Sequence, residues 1–182
     1  IMLVVIILSL GSGIQNTITQ QMAQFGSDLI IIFPGKETNP FASFIGNSKF
    51  KYEDITDLSR IDGVEFVVPM NVAMLNTEFQ GEKKSVMIHA APWKEMSAVL
   101  ERRQGAKLSS GRWPTSDQAR EVVLGHLVAN DTFQNPVRLG DQFTIKSKRL
   151  EIVGTISEIG NQMDDNVAYV SYDMYKDLTG LH

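Results

Sequence analysis

No cysteine occurs in the 182 residues of this chain. Disulfide cross-links, thiol catalysis and thiolate metal sites are excluded together. Histidine is almost as scarce: His89, His126 and His182 stand far apart, and no H-E-x-x-H pair offers two ligands on one helical face. No G-x-G-x-x-G follows a strand-like run, and Gly11-Ser12-Gly13 trails an apolar stretch rather than forming a nucleophile elbow. Gly35-Lys36 does not close a phosphate loop, because the earlier Gly of that motif is missing and Glu37 stands where Ser or Thr belongs. The net charge is −4, with lysines and arginines scattered, so no basic face for nucleic acid is present. Charge of either sign is also missing from the start of the chain: none precedes Asp28.

What fills that uncharged start is the chain's most informative feature. Residues 1–10 read IMLVVIILSL. As a helix, ten residues reach about 15 Å at ~1.5 Å per residue, half of the ~30 Å hydrocarbon core of a bilayer. A basic n-region, which a signal peptide requires, is absent. The run, which starts on Ile1 and already inside the apolar stretch, is therefore read as the end of a transmembrane helix, residues 1–13, against the alternative of a buried core element. Ile1, Met2, Leu3, Val4, Val5, Ile6, Ile7 and Leu8 are the expected membrane-embedded residues. Beyond it, Ile14, Ile18, Met22 and Phe25 recur at steps of four, four and three, which places them on one helical face, with Gln15, Asn16, Gln20, Gln21 and Gln24 on the rest. Residues 14–27 thus read as an amphipathic stalk helix ended at Gly26.

The remaining chain is long enough for one domain, or one domain with a sub-lobe, and its apolar content of 43% is that of a globular protein. Residues 28–33 form a short β-branched run closed by Pro34-Gly35, read as a buried strand. Residues 36–50 read as a loop. Tyr52, Ile55, Leu58 and Ile61 mark a short helix stopped at Gly63, and residues 64–69 a strand. Residues 71–80 and 85–91 form a hairpin about Gly81-Glu82-Lys83-Lys84. Trp93, Met96, Val99 and Leu100 mark a second helix. Then Gly111-Arg112-Trp113-Pro114 reads as a turn, 121–125 as a strand and 126–133 as a helix. Residues 142–145 and 150–156 form a hairpin about a basic turn, and 166–170 a last strand. Ser171 caps a final helix with Met174, Tyr175 and Leu178, and Gly180 ends it.

Isolated features carry little chemistry. Met163-Asp164-Asp165 reads as a solvated turn rather than a cation site, since adjacent carboxylates on a strand point opposite ways. Trp93 and Trp113 read as lids over the core rather than binding anchors, and His89 as a structural strand residue. No catalytic residue, no cofactor-binding residue and no metal ligand is assigned.

The order of these blocks resembles the extracytoplasmic core domain of MacB-type ABC transporter permeases, a family that includes the lipoprotein-releasing permeases and, more remotely, FtsX. The resemblance rests on the uncharged segment running into an amphipathic helix and then G-S-D-L-I-I-I-F-P-G at 26–35. It continues through the helix from Tyr52 to Ile61 before Gly63-Val64 and Pro69, and through Gly111-Arg112 followed by Val122-Val123-Leu124-Gly125, Phe133, Asn135-Pro136-Val137 and Gly140. It closes with Ile152-Val153-Gly154-Thr155-Ile156 before Asp164-Asp165 and Val167-Ala168-Tyr169-Val170. Two features depart from it: Ser171 stands where members often have proline, and the loop with Phe41, Phe44 and Phe50 matches nothing in the pattern.

The resemblance implies an α/β (α+β) fold in two lobes behind the helical stalk. A discontinuous porter-like βαβ lobe would take 28–94 and 161–182, and an inserted second lobe 95–160. It also implies a non-catalytic, mechanical role on the extracytoplasmic side of the cell membrane: ATP hydrolysis on a separate cytoplasmic ATPase domain or subunit would drive paired permease domains, as a homodimer or with a second permease. In a cell with an outer membrane, an adaptor or outer-membrane protein would join them. Two other classes stay open on the residues alone. A membrane-anchored ligand-binding or sensor module requires a concave apolar pocket; an extracytoplasmic enzyme requires clustered titratable groups.

Overall fold

The structure, a computed structural model, describes residues 30–34, 50–103, 106–160 and 162–180. Their elements run α1 (Tyr52–Leu58), β1 (Asn71–Phe79), β2 (Glu82–Ala90), α2 (Trp93–Arg103), β3 (Leu108–Gly111), β4 (Glu121–Leu124), α3 (His126–Asn130), β5 (Gln142–Ile145), β6 (Lys148–Ile156), α4 (Gln162–Asp165), β7 (Val167–Val170) and α5 (Tyr172–Thr179). The fold class is the α/β one expected.

One seven-stranded sheet holds the strands in the order β3-β6-β4-β7-β2-β1-β5, and β5 pairs again with β6. The sheet therefore closes on itself. The nine residues of β6 make this possible: Lys148 to Glu151 pair with β5, while Gly154 to Ile156 pair with β3 on the same side, and β4 lies on the other. A ring of six strands results, with β3 as an outer flap. Most neighbours are antiparallel; β4–β6 and β2–β7 are parallel.

Alternation of side chains along each strand separates two cores. Phe79, Val86, Ile88, Val122, Leu124, Phe143, Leu150, Ile152, Ala168 and Val170 fill the inside of the ring, joined by Val128 and Phe133 and by Met174, Tyr175 and Leu178 of α5. The Phe133 ring packs edge-on between Phe79 and Phe143 at 5.6 and 5.8 Å. On the outer face, Val123, Val153, Ile156, Val167 and Tyr169 pack under Trp93, Met96 and Leu100 of α2. β7 is buried on both faces and reads as a continuous apolar run for that reason.

Turn chemistry sets the registers. The β1–β2 hairpin turns at Gln80-Gly81, both with positive φ (48° and 86°), the geometry of a two-residue type I′ turn. Glu82, Lys83 and Lys84, expected in the turn, lie in β2 instead. Lys146-Ser147 makes the second tight turn, between β5 and β6, also with two positive φ values.

Several expectations are corrected. Residues 30–33 are in no strand, and Ile30 is 82% exposed with Ile31 and Ile32 also exposed. Residues 64–69 are likewise outside any strand, with Val64 and Phe66 exposed. β-branching favours extended backbone, but a strand also needs a free edge to pair with, and ring closure leaves little edge to offer. α1 ends at Leu58, short of Ile61, and α3 ends at Asn130 rather than 133. Strand β3, whose Leu-Ser-Ser-Gly sequence has no apolar alternation, is not among the expected elements, and it takes in Gly111, read as the start of a turn. The acidic 163–165 stretch is a helical turn, not a solvated one. The readings of 1–13, of 14–27, of Asp28 and Leu29 and of most of the 36–50 loop concern residues outside those described.

Candidate functional site

The densest set of polar contacts among the described residues lies where 112–120, the strap between β3 and β4, crosses the starts of α2 and α5. Arg112 anchors one end: its guanidinium donates to both carboxylate oxygens of Glu121, at 2.6 and 3.2 Å, and Thr115 N–H adds a third bond to the same carboxylate. The Arg112 hydrogen bonds hold the Glu121 carboxyl below its ordinary pKa, and the arginine is raised in turn. Trp113 follows, its indole N–H donating to Glu101 Oε1 at 2.5 Å while its ring lies 6.3 Å from that of Trp93. The two tryptophans read separately from the sequence are thus brought together, Trp93 buried and Trp113 half-buried over it. Among the described residues the Trp93 indole N–H itself has no acceptor.

Asp117 sits at the centre. Its Oδ1 accepts from Trp93 N–H at 2.9 Å, satisfying an amide at the open N-terminus of α2. Its backbone carbonyl accepts from Ser171 Oγ at 2.6 Å. The same Ser171 oxygen accepts from Met174 N–H at 3.0 Å as the N-cap of α5, as expected of that serine. Gln118 Nε2 donates to Asp173 Oδ2 on α5. Asp117 carried no local signal in the sequence, because the helix ends it serves are 24 and 54 residues away.

A second acidic knot follows β6. Asp165 is only 3% exposed, and its two oxygens accept from Ile159 N–H (2.8 Å) and Gly160 N–H (3.0 Å). Burial, with the neighbouring Asp165, raises the carboxyl of Asp164. Asp164 O accepts from the Tyr169 hydroxyl, whose ionisation burial pushes up. His89 packs edge-on to the Tyr169 ring at 5.7 Å, and desolvation lowers its pKa to about 4, so it is neutral at ordinary pH. It serves as a strand residue, paired with Val72 and Tyr169. His126 lies elsewhere, at the start of α3 beside Asn130.

Among the described residues no group of three or more His, Asp or Glu side chains is placed to hold a metal ion. A polar depression of about 300 Å³ is lined by Glu78, Phe79, Gln80, Asp141, Gln142, Thr144 and Arg149; ligand pockets are instead mostly apolar and enclosing. No helix among the described residues is long and apolar enough to cross a membrane. Ile1 to Leu8 and the stalk face of Ile14, Ile18, Met22 and Phe25 lie outside the described residues.

Residues 1–181 match the family described as MacB-like periplasmic core domain. Over 180 residues, 99% of its length, the chain is 30% identical to an uncharacterized ABC transporter permease, MJ1507, of Methanocaldococcus jannaschii, of which it spans 44%. It is 22% identical, over 93% of its length, to the macrolide export ATP-binding/permease protein MacB of Wolinella succinogenes, of which it spans 26%. The MacB of Marinobacter nauticus is similar to the same degree, with 27% of it spanned. The chain thus spans less than half the length of each of these relatives. Among solved structures, the fold is similar to the periplasmic region of MacB from Actinobacillus actinomycetemcomitans, with a TM-score of 0.65 and 19% identity over 86% of this chain and 70% of that one. It is also similar to the extracellular domain of the noncanonic ABC-type transporter YknZ from Gram-positive bacteria, with a TM-score of 0.59 and 20% identity over 81% of this chain and 75% of that one.

Proposed function

The chain belongs to the MacB-like periplasmic core domain family, and on that premise we propose that this extracytoplasmic domain of an ABC transporter permease transmits ATP-driven motion to a substrate or partner outside the membrane. Export or efflux is the process served. The observation that carries the reading is the family match over residues 1–181, which takes in the uncharged segment and the amphipathic stretch as well as the folded body. A passive binding module needs only a tether; a transmitter needs a stiff connection, and Ile14, Ile18, Met22 and Phe25 supply one continuous apolar face for it.

In this reading residues 1–8 lie in the membrane, 14–27 form the stalk, 28–94 with 161–182 form the porter-like lobe and 95–160 the inserted lobe. A cytoplasmic ATPase domain or subunit supplies the energy, and a second copy of this permease or a second, paired permease supplies the opposing domain. An adaptor or outer-membrane protein completes the assembly where an outer membrane exists. The domain itself is non-catalytic and holds no cofactor.

Thr19→Pro in the complete transporter tests the mechanical role. Proline removes a backbone donor and clashes with the preceding turn, at a local cost of about 3 kcal/mol. ATP hydrolysis should continue while export is lost and expression is unchanged. Full export by this variant would contradict the transmission reading.

A further inference from the structure

We propose that the described residues of the two segments of the domain, 28–94 with 161–182 and the intervening 95–160, are clamped by Asp117 and Asp165 into one rigid body. That this body transmits motion rests on the mechanical reading above; that it is a single body does not.

At the first crossing the chain does not pass through a loop. Helix α2 runs unbroken from Trp93 to Arg103 across position 94, so the border falls inside continuous helical hydrogen bonding. Its first amide is held from the opposite segment, Trp93 N–H to Asp117 Oδ1. The carbonyl of the same Asp117 takes the Ser171 hydroxyl, which caps α5. One strap residue therefore fixes the N-termini of two helices, both of whose first residues belong to the outer segment.

At the return crossing, Asp165 grips Ile159 and Gly160 from the far side of position 161. The carboxylate is buried, so water cannot readily substitute for either amide, and breaking the grip leaves a desolvated charge. A hinge requires a few residues free to change φ and ψ; Trp93, Ile159 and Gly160, beside the two crossings, instead have their backbone amides tied to a carboxylate.

Packing agrees. The strands of the two segments join through Val123–Tyr169 and Leu124–Ala168, and again through Thr77–Ile145 and Glu78–Thr144. The ring cannot open at one seam without straining the other. Both cores mix the segments: Phe79 and Ile88 pack with Phe143 and Leu150 inside, and Trp93 and Tyr169 with Met96 and Val153 outside.

Native-state hydrogen exchange on the full chain in detergent micelles tests this without any ATPase present, so its failure would leave the transmission reading to the export assay. In the wild type, the slowest amides of Ile88 and Tyr169 should open together with those of Val122 and Ile152, in one cooperative unit. Asp117→Ala, which removes the acceptor of Trp93 N–H and keeps the carbonyl that Ser171 uses, should split that unit, with about tenfold loss of protection at Ile88 and Tyr169 relative to Val122 and Ile152. Gln118→Ala, which removes only an exposed contact, should leave it intact. Should Asp117→Ala fail to fold, Asp165→Asn, which keeps one acceptor oxygen and so releases either Ile159 or Gly160, is read in its place. Separate openings of the two segments in the wild type would overturn the proposal, and so would an undivided unit in the variant read.

Discussion

Arg112 and Glu121 face each other across the base of the 112–120 strap through two hydrogen bonds, at 2.6 and 3.2 Å, and the carboxylate also holds Thr115 N–H. The pair closes the strap into a loop whose ends cannot separate, which keeps Asp117 over the starts of α2 and α5.

That pairing has a pH signature. Because the folded pKa of Glu121 is depressed by Arg112, its contribution to stability is complete above the unfolded carboxylate value of ~4.3 and is lost as pH falls through the lower folded value. Glu121→Gln should therefore melt below the wild type at pH 7, and the gap should narrow as the pH is lowered from 7 through ~4.3 and further into acid. Thermal melts of both proteins across that range check it.

His89 adds to acid sensitivity over a different window. Its folded pKa is about 4 against an ordinary value of 6.5, lowered by desolvation. The neutral form is the one buried, so stability is present above pH ~6.5 and falls as the pH drops toward 4, by roughly 3 kcal/mol. His89→Gln should lose less stability than the wild type between pH 7.5 and 4.5 in urea melts. Equal losses would remove His89 from the account of acid sensitivity.

Gly111 and Gly140 share positive φ values of 80° and 85° but sit in different surroundings. A Cβ on Gly111 would lie 2.1 Å from the Val153 carbonyl oxygen, against the strand it pairs with, whereas one on Gly140 meets nothing within 4 Å. Gly140→Ala should cost about 1 kcal/mol for the left-handed backbone alone. Gly111→Ala should cost roughly 3–4 kcal/mol, because β3 must also move off β6. Denaturant midpoints of the two variants compare them directly.

Much of the fold was readable because its signals are local. The Asn71–Phe79 and Glu82–Ala90 hairpin, the α2 periodicity of Trp93, Met96 and Leu100, and the Ser171 and Gly180 caps each declare themselves within a few residues. Ring closure was not readable, since it depends on Thr77 meeting Ile145 across the chain. Strand β3 was missed because an exposed edge of Leu-Ser-Ser-Gly shows no alternation. Residues 30–33 misled in the opposite sense: isoleucines signal extended backbone whether or not a partner strand exists. At the site, Ser171 was identified as a cap, but its bond to Asp117 was not. Asp165, set in an acidic stretch that reads as solvated, is among the most buried charged residues described.

Transmission of motion is tested most directly by distances between paired domains in the complete transporter. The absence of cysteine from this chain allows one to be introduced at exposed Lys83 and, separately, at exposed Gln142, one on each segment, for spin labelling. Distances between the two copies should be measured without nucleotide and with the ATPase trapped in its ATP-bound state. Mechanical transmission by a rigid domain predicts that both label positions shift to new distances together when ATP is bound. Identical distance distributions in the two states, in a transporter that still hydrolyses ATP and exports, would contradict it.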